Sequence, residues 1–385
     1  MHDSGAPGLR TSFVILGAGV SGLSTALALL KRGHAVTLLE RGTVGGESSW
    51  AGGGILSPLL PWDYAEPVSA LALRSMAGYS DWVADIEALS GRDAEFWRCG
   101  MLALDVAGPD RALAWCAAHG MAALRGYPQT VSLPSRASDH NPVWLPEVAQ
   151  VRNPRLVAAL RGAVVQLGGT IHEHCPATGV LTQGGRVTAV QTPADTFQAG
   201  TVVLTTGAWS GLGLAGLAAT PQIRPIRGQM LLFKLLPGML DTILYRNGLY
   251  LIPRRDGHVL VGSTLEDAGF DKSTDVATRQ RLQAEAAELL PALADTHPVQ
   301  HWAGLRPGSP GNIPIVDRHP DFENVFVNTG HYRYGVTMAP AAAELLADLM
   351  EGRAPSRTVR LPAFGPRASL LQPGVLAPIA VFLAQ

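Results

Sequence analysis

The spacing of apolar residues divides the chain into elements before any chemistry is considered. Phe13 to Leu16 is an unbroken apolar run, the pattern of a strand buried on both faces. Leu23, Ala26, Leu27 and Leu30 then recur at helical spacing, and Gly33 marks the stop. Ala35 to Leu39 reads as a second buried strand, closed by Glu40. Thr201 to Leu204 and Asn324 to Asn328 repeat the buried-strand pattern far downstream. In "LLFKLLP" and "TILYRNGLYLIPRRDGHVLVGST", strand-like runs flank the turn-forming "RNG" and "RDG", which predicts an antiparallel sheet. Helical patterning returns from Thr278 to Leu290 and from Ala341 to Met350, the second after a turn opened by Gly330.

Composition narrows the class. A chain of 385 residues can bury a large core and form two joined lobes, and 47% hydrophobic with 16% charged residues argues against disorder. The net charge is −1 with no Lys/Arg block, so no nucleic-acid partner is expected. Cys99, Cys116 and Cys175 form no CxxC pair, and residues 1–12 lack a signal-peptide pattern; both point to the cytoplasm. The uncharged stretch Ser369 to Gln385 is interrupted by Pro373 and Pro378 and falls short of the ~20 residues of a spanning helix. It is expected to dock on the parent fold or on another subunit of a homo-oligomer, with a peripheral membrane contact as the lesser alternative.

Chemistry enters with Gly17, Gly19 and Gly22, in GxGxxG spacing between the first strand and the first helix. The first glycine permits a tight turn, the second lets backbone approach a pyrophosphate, and the third allows close helix–strand packing. Val20 and Ser21, within this motif, are further candidate cofactor contacts, and the N-terminus of the helix that follows supplies amide donors and a positive dipole end that favour phosphate. Glu40, followed by Arg41, ends the next strand 18 residues after Gly22, where a carboxylate can accept ribose hydroxyls and would repel a 2′-phosphate. A dinucleotide follows, with NAD and FAD both open. The glycine-dense loop "GGESSWAGGGILSPLLPW", Gly45 to Trp62, then departs from a simple NAD domain. Ser48 and Ser49 suit phosphate, while Gly52, Gly53 and Gly54, ahead of Ile55, would leave bare backbone beside a flat ring.

Here the sequence resembles the FAD-dependent D-amino-acid oxidase family, nearest to its glycine oxidase branch associated with thiamine biosynthesis. The likeness runs from Phe13 to about Met350 and is carried also by "VVLTTGAWS", "RPIRGQM", "GLYLIPRRDGHVLVGSTLEDAGFDK" and "WAGLRPGSPGNIPIV…NVFVNTGHYRYGVTMAP". It implies an α/β fold: a Rossmann-like FAD-binding lobe (10–75, 150–220 and 302–355) interleaved with an α+β substrate lobe built on an antiparallel sheet (76–149 and 221–301), then a tail, 356–385. Further cofactor contacts are implied at Ala177, at Gly207, and along His331, Tyr332, Arg333, Tyr334, Gly335, Val336 and Thr337, where a helix start would face the flavin. With no cysteine after Cys175 to tether it, FAD should be non-covalent.

The resemblance also implies a substrate site. Arg306 in "GLRPG" and Arg333 in "HYRYG" match arginines that take a substrate carboxylate, and Tyr250 in "LYLIP" matches a tyrosine that donates to it. No catalytic base is nominated, because none is required if the amine arrives neutral. The implied reaction is oxidative deamination of glycine, sarcosine or a small D-amino acid to imino or keto acid and ammonia, with dioxygen as second partner, hydrogen peroxide as co-product and thiazole synthesis as destination. A dehydrogenase passing electrons to a membrane quinone is the alternative, supported only by the tail; a nucleotide-sensing module without turnover is a third reading. Tyr334 stands where the branch often has asparagine, and Gly248 and Leu265 replace larger or polar pocket residues, leaving substrate preference open. In "HEHC", His172 and His174 fall on one face of a strand, read as a solvated edge in preference to a metal site.

Overall fold

The computed structural model describes residues 12–126 and 141–353, so the tail 356–385 and the expectations attached to it lie outside the described residues. The chain opens with β1 (Ser12–Leu16), α1 (Val20–Lys31) and β2 (Ala35–Leu39). A single helical turn, α2 (Ser48–Ala51), follows in the glycine-rich loop. Much later come α3 (Asn153–Gln166), β3 (Thr170–His172) and β4 (Thr201–Leu204). The second half supplies β5 (Arg224–Lys234), β6 (Leu249–Pro253), β7 (His258–Gly262), α4 (Val276–Leu289), β8 (Gln300–Gly308), β9 (Ile315–Arg318), β10 (Val325–Thr329) and α5 (Gly335–Met350).

These strands form two large sheets. The first has the order β9-β10-β4-β1-β2-β3 and is parallel except for β9. Ile15, Leu16, Leu38, Val202 and Val203 are almost wholly buried there, as continuous apolar runs covered on both faces require. The second sheet has eight strands and is antiparallel apart from one parallel pair, Ile243–Arg246 with Met101–Leu104. Its β6 is entered through the turn Asn247-Gly248, both with positive φ, the conformation a two-residue hairpin demands. β8 pairs with β5 over nine residues, so 302–308 lies in this second sheet and not with the FAD-binding segment that was expected to begin at 302. Pairing decided that placement, and a local pattern of apolar residues does not reveal a partner strand.

Two further expectations are corrected. The last helix starts at Gly335, six residues before Ala341, and runs through Pro340. Proline has no N–H to give the carbonyl four residues back. That carbonyl, Val336 O, accepts the buried Tyr79 hydroxyl at 3.0 Å instead, which makes the interruption tolerable. The strand at 170–172 ends at His172, and His174 has φ +54°, so the two histidines do not share a strand face. Among the described residues no group of three His, Cys, Asp or Glu is arranged to hold a metal, and no helix is long and apolar enough to cross a membrane. α5 packs along α1, and Arg32 at the end of α1 pairs with Asp348 and Glu351 at 2.9 and 2.7 Å.

Candidate active site

A cavity of about 350 Å³ runs from the carboxyl ends of β1 and β2 to the face of the second sheet. Its position, at strand ends and between two layers of structure, is where α/β folds place ligands. The nucleotide end is built from adjacent residues. Gly17 turns the chain with φ +101°, and a Cβ on it would press within 2.7 Å of Thr205 O. A Cβ on Gly22 would lie 2.0 Å from Gly17 O, so Gly22 packs the helix against the turn. Gly22 therefore does not line the cavity, contrary to its expected cofactor contact; Gly19, Val20 and Ser21 do.

Glu40 is 8% exposed, and its two oxygens accept Ala18 N at 2.8 Å and Gly42 N at 2.9 Å. Each carboxylate oxygen keeps a lone pair for the hydroxyls of a ribose. Arg41 borders this end but is held by protein: its guanidinium lies 3.5 Å from the Trp209 ring centroid and donates to Glu47 at 2.8 Å. Ala177 and Gly207 complete this end.

The glycine loop forms the middle of the cavity. Ser48 lines it through α2, and Ser49 Oγ accepts Val20 N at 2.9 Å, capping α1 from across the loop. Gly52, Gly53, Gly54 and Ile55 also line it. Their lack of side chains answers to protein as well as to ligand. A Cβ on Gly52 would meet Asn153 Nδ2 at 2.8 Å, one on Gly53 would meet Ile252 Cδ1 at 2.6 Å, and one on Gly54 (φ +79°) would meet Val151 O at 2.1 Å. Arg254, 6% exposed, donates to Gly53 O at 2.8 Å and Val151 O at 2.9 Å, tying the loop and the segment before α3 to the end of β6. Burial pushes its guanidinium down to about 10, low for arginine and still cationic at neutral pH. Thr337, expected at the cofactor, faces the loop instead and donates from Oγ1 to Ile55 O at 3.0 Å; it does not line the cavity.

The far end holds Tyr250, Arg306, Tyr332, Arg333 and Tyr334, drawn from β6, β8 and the approach to α5. Arg306 donates to Ser263 Oγ at 2.6 Å and Thr264 O at 3.2 Å. A Cβ on Gly228 would sit 2.1 Å from Arg306 Nη1, so Gly228 is the space into which this guanidinium fits. Burial lowers its pKa below the ordinary arginine range, with Arg333 acting in the same direction. Nη2 of Arg333 is buried with no hydrogen-bond partner. Neither arginine pairs with a carboxylate among the described residues, and Glu40 and Glu47 are the only acids that line the cavity. Tyr250 Oη has a weak partner, Met230 Sδ at 3.4 Å. Tyr334 turns inward and packs edge-on against Tyr64, centroids 4.8 Å apart, narrowing this end. Gly248 and Leu265 do not line the cavity: Gly248 is a hairpin glycine and Leu265 is 44% exposed.

Gly228, Ser263, Asn153 and Arg254 were not singled out from sequence. "RPIRGQM" and "GST" were signals that those regions mattered, but nothing local says which atom each residue meets. The donors at the helix start, the Glu40 carboxylate and the bare backbone fit a flavin dinucleotide, and the buried orphan Nη2 fits an anionic substrate beside it.

Comparison with known proteins agrees with this geometry. Residues 12–349 match the DAO family, FAD dependent oxidoreductases. A glycine oxidase of Pseudomonas aeruginosa is 44% identical over 347 residues, 89% of this chain and 95% of its own. A bifunctional protein ThiO/ThiG of Trichormus variabilis is 34% identical over 352 residues, 89% of this chain and 53% of its own. The crystal structure of glycine oxidase from Geobacillus kaustophilus superposes with a TM-score of 0.81 at 25% identity, covering 92% of this chain and 97% of that one.

Proposed function

Because the chain belongs to the DAO family of FAD dependent oxidoreductases, we propose that it oxidises glycine, or a comparably small amino acid such as sarcosine, to the imine, with hydrogen peroxide as co-product. The observation that carries this reading is a small buried end holding two guanidinium groups and, among the described residues, no carboxylate. A bound amino-acid carboxylate supplies the missing negative charge. Arg306 is oriented by Ser263 and Thr264, so its remaining N–H groups can take that carboxylate in a fixed direction. Tyr250 can exchange its sulfur contact for a carboxylate oxygen. Tyr334 and Tyr64 limit the room left for a side chain.

FAD, when bound, accepts the two electrons leaving the substrate Cα–H and passes them to dioxygen. Among the described residues no acid lines the substrate end, so none is placed there to remove the ammonium proton, and we infer that the amine loses it to solvent before oxidation. The rate of reduction should accordingly rise with pH through the ionisation of the substrate amine. The imine is placed as the precursor for thiazole assembly, in a homo-oligomeric cytoplasmic enzyme.

The test is anaerobic mixing with glycine, sarcosine, D-alanine and D-proline, followed at the flavin absorbance. Glycine and sarcosine should bleach fastest, and peroxide should appear when air is admitted. Bleaching by larger amino acids alone would overturn the substrate assignment. Reduction without peroxide would favour the quinone-linked alternative.

A further inference from the structure

The strand that makes room for Arg306 has a second face. Gly228 and Met230 of β5 line the cavity, while the alternating Arg227 and Gln229 do not. Gln229 is nonetheless fully buried, and its neighbours fix its amide. Nε2 lies 3.1 Å from Glu266 Oε1 and 3.0 Å from Asp275 Oδ2, and only the amide nitrogen can donate to two carboxylates. Oε1 is left to accept His301 Nε2 at 3.0 Å. Glu266 is held a second time by Arg227, which donates from Nε at 2.9 Å, and the two residues exchange backbone hydrogen bonds at 2.9 and 3.0 Å. Burial alone would raise the Glu266 carboxyl. Donation from Thr264, Arg227 and Gln229 outweighs it and holds the group below its ordinary value, so it is ionised at neutral pH.

These contacts converge on Thr264. Its hydroxyl hydrogen goes to Glu266 Oε1, and its Oγ1 accepts Gln229 N at 2.8 Å, so a residue only 6% exposed is fixed from two sides. The same short segment supplies both acceptors of Arg306, Ser263 Oγ and Thr264 O. Glu266 stands two residues along, yet its charge is met by Arg227 and leaves Arg306 free for another anion. We propose that Gln229 and Glu266 are positioning residues: through Thr264 they fix the 263–264 segment and thereby aim the Arg306 guanidinium at a substrate carboxylate. The proposal rests on Arg306 taking that carboxylate and is independent of which amino acid carries it.

Acetate, a carboxylate with no amine to oxidise, is the probe, titrated into the FAD-loaded holoenzyme and read from the shift in flavin absorbance. Gln229→Leu and Glu266→Leu should each keep the flavin and weaken acetate binding by about tenfold. Glu266→Gln should recover most of that affinity, because its Oε1 can still accept the Thr264 hydroxyl. Thr264→Val, which removes only the hydroxyl, should weaken acetate by about tenfold and Thr264→Ser should restore it; this pair decides the matter if Gln229→Leu fails to fold. In an Arg306→Met background, Glu266→Leu should cause no further loss. Full acetate affinity in Thr264→Val and Glu266→Leu, or an undiminished effect of Glu266→Leu in the Arg306→Met background, would overturn the proposal. A wild type that binds no acetate would overturn it together with the carboxylate role of Arg306. Failure of glycine to reduce the flavin would fault the choice of amino acid and leave the acetate readings standing.

Discussion

The two ends of the cavity differ in how complete they are. At the nucleotide end the protein has already engaged its own polar groups: Glu40 holds two backbone amides, Ser49 caps Val20, and Arg41 is stacked and paired. At the substrate end, among the described residues, two arginines have no counter-ion, one of them has an orphan nitrogen, and a tyrosine donates only to sulfur. The first end recognises by shape, since main chain and glycine allow no alternative arrangement. The second recognises by charge, since uncompensated cations out of water are costly until an anion arrives. Changes at the first should therefore abolish occupancy, and changes at the second should reduce affinity while leaving the flavin in place.

The largest effect is expected from Gly22→Val. Its Cβ would collide with backbone at 2.0 Å, which no rotamer can relieve, so the purified variant should be colourless and melt well below wild type. A yellow Gly22→Val protein would break the contrast. Next is Arg306→Met, expected to keep its flavin spectrum while the substrate concentration for half-reduction rises on the order of 100-fold or more. If FAD is lost instead, the two ends are not separable.

Burial pushes the His331 imidazole down to about 4, which sets an acid limit. The folded state disfavours the charged form, so the unfolded chain binds the extra proton first as pH falls. The resulting stability is fully present above about pH 6.5 and is lost as pH falls toward 4, amounting to roughly 3 kcal/mol. Apoprotein melts across that range should show a steeper slope in wild type than in His331→Gln, the remaining slope coming from other groups with lowered pKa values such as His301 and Glu266. The smallest effect is in α5, whose start shapes the substrate end. Tyr79→Phe leaves Val336 O without its donor and should cost about 1–2 kcal/mol. Pro340→Ala, which restores a helical N–H, should recover most of it.

What could be read from sequence followed the range of the interactions. β1, α1 and β2 answer to a motif whose parts lie within thirty residues, and the two strands came within a residue of the limits expected. The helix from 341 was read too short: it begins at Gly335 and passes through Pro340, and the donor that makes the proline tolerable is Tyr79, distant in sequence. The glycines at 52–54 were rightly noticed and incompletely explained, for their crowding partners are Asn153, Ile252 and Val151.

By itself the sequence determined the strand–turn–helix of the nucleotide end and the supply of two arginines and a tyrosine in recognisable motifs. Local backbone sterics and hydrophobic period are sufficient for such features. Only the tertiary structure decided that β8 joins the second sheet, that Gly228 opens the space Arg306 fills, and that Gln229 and Glu266 fix Thr264 behind it. Those are contacts between atoms far apart along the chain, and hydrogen-bond direction and steric exclusion act only on groups that folding has already brought together.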